Sequence, residues 1–386
     1  MMPLGHSTDR EEWRAQLRSL ILETLGAQGF LVEDGRLLPP RLSSKDDARR
    51  LHVQAVAKSR QEAESGLRRQ ESRLLSYIAE GTEVRPEAFA PRLVEVERHS
   101  EGEALFRYAR LHWSIPTSRG YGRRLRFLVI DESNNKLVGL IGLCDPVYAL
   151  HDRDGWIGWS ATQRRERLRL IMDAYVLGAV PPYSSLLVGK LVALLAASNE
   201  VRHTFLGKYA NRQTLISARQ SGSGLAMLTT ASALGRSSIY NRLKYRGRLV
   251  YVRAGATQGT GELVFSNGIY TAMRDYALQF CTPTARHAKW GGGGGFRNRR
   301  EVIKKCLADV GLSSEWNCHG VKRDIYVVPL AANAAAVLRG EEEELAYFDH
   351  PATELASWFR ERWFLPRAST DRTYESFARE SYRLWG

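Results

Sequence analysis

The sequence predicts an α/β (α+β) chain: a mixed sheet flanked by helices, preceded by an N-terminal helical hairpin and followed by a C-terminal α+β extension. Three observations predict it. Apolar runs at residues 124–131 and 136–143 have strand length and are joined by the turn residues Glu132, Ser133, Asn134 and Asn135. Segments of helical period alternate with these runs. The 386 residues suffice for two or three domains. Composition is ordinary for a globular protein, 44% apolar and 25% charged, which argues against a disordered or fibrous chain.

Taken in order, residues 8–33 read as a helix, with Trp13, Leu17, Leu20, Ile21 and Leu25 at helical spacing. A second, mostly charged helix is expected over 44–79, with Asp46 and Asp47 in the first turn, where the helix dipole favours acids. From about residue 91 the texture changes to a strand at 92–97, a helix at 101–113 and the strand pair above. There follow a helix at 161–175, a short strand at 176–180 ending in Pro181 and Pro182, and an apolar helix at 184–197. Next come a strand at 225–230, a short helix at 237–243 and a strand at 248–253. The last region holds a helix at 269–280, a hinge at Gly291–Gly295, a basic helix at 298–310, a strand at 324–330 and an aromatic helical tail. The expected domains are 1–88, 89–258 and 259–386.

Charge is the first functional clue. The net charge is +14, and residues 202–305 hold 18 basic side chains against Glu262, Asp275 and Glu301. That window carries +15, while the rest of the chain sums to −1. Cations crowded into one region are the footprint of a nucleic-acid binder, with a solvated face or an acidic partner protein as the alternatives. Arg242, Lys244, Arg246 and Arg248 interleave with Tyr240 and Tyr245, a pattern that stacks bases and neutralises phosphates. Arg286, Lys289, Arg297, Arg299, Arg300 and Lys304 flank five consecutive glycines, which can order on a phosphate backbone. Phosphate contacts position a protein without reading sequence, so nucleic acid (DNA first) is expected with no target sequence.

Other classes are constrained more weakly. No apolar run reaches about 18 residues, so no membrane partner is expected. Arg10, Glu11, Glu12 and Arg14 interrupt any leader-like apolar stretch. Cys144, Cys281, Cys306 and Cys318 form no CxxC pair, so no metal site is expected and the chain suits a reducing cytoplasm. Candidate acid–base groups lie past the second strand of the pair: Asp145 at its end, and Asp154 between Trp156, Trp159, His151 and Arg153. The alternative there is an Arg153–Asp154 pair with the tryptophans packed in the core. A two-metal nuclease would need Asp131, Asp145 and Asp154 to converge.

Several blocks carry a family resemblance. Leu137–Pro146 (LVGLIGLCDP), Arg153–Trp159 (RDGWIGW), Val180–Tyr183 (VPPY), Gly235–Tyr245 and Trp363–Arg367 resemble the DruA family of the Druantia anti-phage defence systems. The likeness covers roughly residues 90–370, and the RDGWIGW block is its most specific part. It implies a bacterial defence role on nucleic acid alongside other components of the system. The element order also resembles the GNAT acyltransferase fold and Mom-type DNA-modifying acyltransferases. That resemblance implies a coenzyme turn at Val180, Tyr183, Ser184, Ser185 and Gly189, with Tyr240 as a general acid and acetyl-coenzyme A as the cofactor. The usual signature, Gln/Arg-x-x-Gly-x-Gly/Ala, is incomplete: Leu186 and Leu191 stand where the basic and second small residues belong. Acyl transfer and a metal-dependent nuclease or strand-transfer activity are the alternatives to binding alone.

Overall fold

The computed structural model describes residues 9–33, 36–38, 40, 44–117, 120–210, 224–258, 265, 269–284, 296, 299–312 and 321–386. Arg286, Lys289, Arg297, Cys318 and the glycines 291–295 lie outside the described residues. Two compact units emerge, Met1–Ser59 with Thr257–Lys322, and Arg60–Ala256 with Arg323–Gly386. The N-terminal and C-terminal thirds therefore each contribute to both.

The first unit holds α1 (Arg10–Gly26), the hairpin of β1 (Leu31–Glu33) and β2 (Arg36–Leu38), α2 (Lys45–Arg50) and the start of α3 (Val53–Leu67). Farther along the chain it gains α10 (Ile269–Phe280) and α11 (Arg299–Asp309). The Asp9 side chain accepts from Glu11 N–H and starts α1. Leu17, Ile21 and Leu25 then share one buried cluster with Met273, Tyr276, Ile303 and Leu307. Arg14 and Arg18 donate to the carbonyls of Asp309 and Val310, each at 2.7 Å, covering the open C-terminal end of α11.

The second unit is built on a seven-stranded sheet. Its strands are β3 (Pro91–Glu95), β4 (Arg124–Asp131), β5 (Lys136–Cys144), β6 (Ile171–Ala179), β7 (Met227–Ala231), β10 (Val252–Ala256) and β11 (Asp324–Pro329). A separate small hairpin joins β8 (Lys244–Tyr245) to β9 (Arg248–Leu249). The spatial order is β10-β11-β7-β6-β5-β4-β3. All neighbours are antiparallel except β6 and β7, which pair in parallel over Ile171–Asp173 against Met227–Thr229. Along β4, Phe127 and Val129 point into one buried cluster while Leu128 and Ile130 point into another. Both faces are thus covered, which is why β4 and β5 read as near-continuous apolar runs. Close packing explains the glycines of β5. A Cβ at Gly139 would lie 2.5 Å from Val192, and one at Gly142 would lie 2.9 Å from Tyr175 and 3.0 Å from Phe106.

The remaining helices of this unit are α4 (Glu71–Leu75), α5 (Glu101–Ala109), α6 (His151–Ile157), α7 (Ala161–Arg167), α8 (Gly189–Leu195), α9 (Asn199–Tyr209), α12 (Ala334–Arg339), α13 (Ala352–Phe359) and α14 (Leu365–Thr370). Several differ from the sequence expectation. The helix expected at 161–175 stops at Arg167, and the chain turns into β6 from Ile171. Its arginine-rich start offers no apolar stripe to prolong, whereas Ile171, Met172, Ala174 and Val176 are buried in the sheet. The long helix expected over 44–79 is broken into shorter helices with a tight turn at Arg68–Gln70. The helix expected at 237–243 is a single tight turn at Tyr240–Arg242. Residues 151–157, where the sequence expects no helix, form α6, which Gly158 ends with a φ of 76°, a left-handed value that favours glycine. Among the described residues no helix is long and apolar enough to cross a membrane.

Candidate functional site

The acidic residues singled out from the sequence lie in separate hydrogen-bond networks. Asp154 accepts from Arg153 Nε at 2.8 Å, Trp159 Nε1 at 3.1 Å and the Leu150 N–H at 3.0 Å, and it pairs with Arg164 at 3.1 Å. Arg153 itself is fully buried and also donates to the carbonyls of Val147 and Tyr148. This arrangement fastens the loop after β5 onto α6 and α7. Asp145 accepts from Arg123 Nε at 2.7 Å and from the Arg123 N–H at 2.9 Å. Asp131 accepts from Tyr183, Ala90 and Ser133. Among the described residues no three His, Cys, Asp or Glu side chains gather into a cation site.

The turn between β6 and α8 is closed by packing. Val180 is buried, and its N–H donates to the Val138 carbonyl at 3.0 Å. Tyr183 is buried with its hydroxyl donating to Asp131 at 2.8 Å, and burial beside that carboxylate raises its pKa. Ser184 is exposed and donates its N–H to the Val180 carbonyl at 2.9 Å, while the Ser185 hydroxyl donates to the Pro182 carbonyl at 2.6 Å. Arg367 of α14 donates to the Ser185 carbonyl at 3.4 Å. A Cβ at Gly189 would lie 2.9 Å from Ile239, so this glycine serves packing. Tyr240 is buried in a tyrosine cluster, stacked on Tyr251 at 4.6 Å and edge-on to Tyr326 at 5.2 Å, and burial raises its pKa.

A carboxylate that sequence reasoning passed over is Asp173, at the end of the β6–β7 ladder. Burial pushes its carboxyl up to about 6, although Thr229 Oγ1 donates to it at 2.7 Å and Arg153 favours its charged form. The folded state therefore holds a proton that the unfolded chain releases above about pH 4. The stability that Asp173 contributes falls as pH rises from about 4 to about 6, by about 3 kcal/mol, and then levels off. Asp173→Asn is expected to remove that fall and raise the urea midpoint at pH 7. Urea melts at pH 4 and pH 7 check this, and an unchanged pH dependence in the variant counts against it.

Among the described residues, a long run of linked aromatic and cationic side chains lies elsewhere, where α8, α9 and the β8–β9 hairpin meet the C-terminal helices. Lys190, from α8, stands 4.6 Å over the Trp363 ring. Trp363 meets Trp358 edge-on at 4.8 Å, Trp358 meets Tyr245 at 5.1 Å, and Tyr245 meets His350 at 5.1 Å. His350 stacks on Phe348, and Arg248 lies 3.5 Å over the Phe348 ring with one nitrogen 3.2 Å from His350 Nε2. Arg202, from α9, covers Tyr347 at 3.9 Å and donates to Asn199, which also accepts from the His350 N–H. Arg362 lies 5.5 Å from Trp358 and 5.6 Å from Trp363. Local sequence explains these positions. Ser198 caps α9. Between α13 and α14, Arg360–Phe364 forms a π-helical turn that carries Arg362 and Trp363, and Pro366, which has no N–H to donate, follows it.

The electrostatics of this strip set it apart. The cations of the acidic loops are paired, as Arg123, Arg153 and Arg164 are. Among the described residues, no carboxylate pairs with Lys190, Arg202, Arg248 or Arg362. Arg246 pairs with Glu354, Asp349 accepts from Asn199, and Glu200 accepts from the Ala352 N–H. Burial and the nearby Arg362 lower the pKa of Lys190. Burial lowers that of Arg248, and burial with Arg248 lowers that of His350. All three shifts disfavour positive charge, chiefly through burial, with the neighbouring cation adding to it at Lys190 and His350.

The predicted phosphate contacts divide accordingly. Arg246 and Arg248 lie on the strip; Lys244 is exposed on the same hairpin, and Arg242 is exposed just before it. In the first unit, Arg299 stacks on Tyr270 at 4.3 Å and donates to the Phe265 carbonyl, while Arg300 and Lys304 are exposed on α11. Sequence reasoning missed Lys190, Arg202, Phe348, Trp358 and Arg362. The signal that could have found the last two is the run Trp358–Arg367 (WFRERWFLPR), where aromatics and arginines interleave as they do around Tyr245.

Comparison with known proteins follows from this geometry. The family described as Druantia protein DruA matches residues 43–340. A Druantia protein DruA of Escherichia coli (strain UMEA 4076-1) is 36% identical over 374 residues, covering 96% of this chain and 90% of that protein. No solved structure matches the chain. The Arg153–Asp154–Trp159 network and the strip residues Lys190, Arg202, Tyr245 and Arg248 fall within the matched span, the strip residues from Tyr347 to Trp363 lie after it, and the chain belongs to the DruA family.

Proposed function

We propose that this DruA-family chain is a nucleic-acid-binding component of a Druantia anti-phage system, acting with other components on a GNAT-like scaffold that does not use a coenzyme. The observation that carries the reading is the strip on which Lys190, Arg202, Arg248 and Arg362 rest on aromatic rings with no carboxylate partner among the described residues. Cations held in this way are partly preorganised and remain available to phosphate oxygens. The net charge agrees: the second unit holds 38 basic against 29 acidic side chains, +9 of the total.

Support for the scaffold comes from topology. Read from β3, the strand order places five strands in sequence, with one parallel pair between the fourth and fifth and the last two strands exchanged. A Pro-Pro turn leads from the fourth strand into α8, as in the GNAT arrangement. The coenzyme part of that likeness finds less support. Tyr183 is tied to Asp131, and Arg367 and Trp363 lie against Ser185 and Lys190. Calorimetry and fluorescence anisotropy with the full chain test the reading. Labelled DNA is expected to bind in the micromolar range or tighter at low salt, and acetyl-coenzyme A is expected to give no heat. A chain that binds the coenzyme and ignores DNA overturns it.

A further inference from the structure

The strip contains more aromatic surface than phosphate binding requires. We infer that it binds single-stranded nucleic acid, stacking unpaired bases on Trp358 and Trp363 while Lys190, Arg248 and Arg362 hold the flanking phosphates. This rests on the nucleic-acid reading and specifies which form of the polymer is bound.

The corner made by the two tryptophans is the strongest part of the argument. Their rings stand 4.8 Å apart at 87°, and both are half-buried, so each is anchored in the core and keeps an open edge. Arg362 is exposed and reaches both rings without an ion pair among the described residues. Lys190 approaches Trp363 as well, so two cations share one aromatic surface and repel one another. A phosphate between them removes that repulsion, and a base sliding onto the ring replaces the Arg362 guanidinium with another flat π-face. The buried rings of Tyr245 and His350 link Trp358 to the half-buried Phe348, and Arg248 over that ring provides a second phosphate contact.

Duplex DNA cannot use this corner, because its base faces are already covered by neighbouring pairs. An unpaired strand can, since every base has a face to stack, and alternation of aromatic and cationic groups is how sequence-tolerant single-strand binders work. The π-helical turn fits the same role. It carries both Arg362 and Trp363, and such turns recur at functional sites.

The test uses the full chain with labelled oligothymidine, a duplex of equal length and inorganic polyphosphate. Oligothymidine is expected to bind more tightly than duplex and to quench tryptophan fluorescence, whereas polyphosphate binds without quenching. Trp363→Ala is expected to weaken oligothymidine binding by about tenfold or more and to weaken polyphosphate binding, which loses only the ring under Lys190 and Arg362, much less. Trp363→Phe, which keeps a ring in the same packing, is expected to retain most of the affinity, so that a folding defect in the alanine variant is recognisable. Equal affinity for duplex and single strand, or no quenching, overturns the single-strand assignment while the cationic reading stands. Failure of every polyanion to bind overturns both.

Discussion

Replacing Arg153 with alanine is expected to destabilise the second unit by about 3–5 kcal/mol, the usual cost of breaking a buried ion pair by removing one partner. The side chain is fully buried and its guanidinium fork is fully used. Nε meets Asp154 at 2.8 Å, one terminal nitrogen meets the Val147 carbonyl at 2.8 Å, and the other meets the Tyr148 carbonyl at 3.0 Å. Alanine would leave two carbonyls without a donor and Asp154 with only Arg164, Trp159 and one N–H. At roughly 2–4 °C per kcal/mol for a unit of this size, the melting point should drop by about 10 °C. Arg153→Lys retains the charge without the planar fork and should fall between the two. A thermal melt decides the matter. A change under about 1 kcal/mol would mean that the loop after β5 is not held by this network.

The second large effect concerns binding. Changing Arg202 and Arg248 together to glutamine is expected to weaken nucleic-acid binding by on the order of a hundredfold at about 0.1 M salt, since two phosphate contacts are lost. Stability should change little, because the two side chains rest on Tyr347 and Phe348 and hold no ion pair among the described residues. The partial bond of Arg202 to Asn199 is one that glutamine can also make. Anisotropy titrations beside thermal melts separate the two effects. Lost affinity with an intact melt supports the account, and unchanged affinity places the phosphate contacts elsewhere.

How much of this was legible in the sequence differs between fold and site. The strands at Arg124–Asp131 and Lys136–Cys144 were legible because both faces of the sheet are covered and the apolar run is therefore unbroken. Of the strand Ile171–Ala179 only the second half was legible, as the short strand at 176–180, because an arginine-rich helix precedes its first half. Helix His151–Ile157 was hidden because Leu150 gives no side-chain cap and Gly155 weakens the helical pattern. The Arg153–Asp154 pairing was legible as one of two readings, since adjacent opposite charges beside two tryptophans suit a packed loop as well as an acid–base pair. At the strip, only the part near Tyr245 could be read, because its aromatics and cations are neighbours in sequence. Lys190, Arg202 and Arg362 reach it only through the packing of α8, α9 and the C-terminal helices, which no local pattern records.

The central claim is that cations resting on aromatic rings form a working polyanion site. The salt dependence of binding measures it most directly. A plot of log affinity against log salt for oligothymidine is expected to be linear with a slope near −3, about 0.7 for each of four neutralised phosphates, and shallower by one to two in the Arg202→Gln, Arg248→Gln variant. A slope near zero, or one that the two substitutions leave unchanged, would contradict the account.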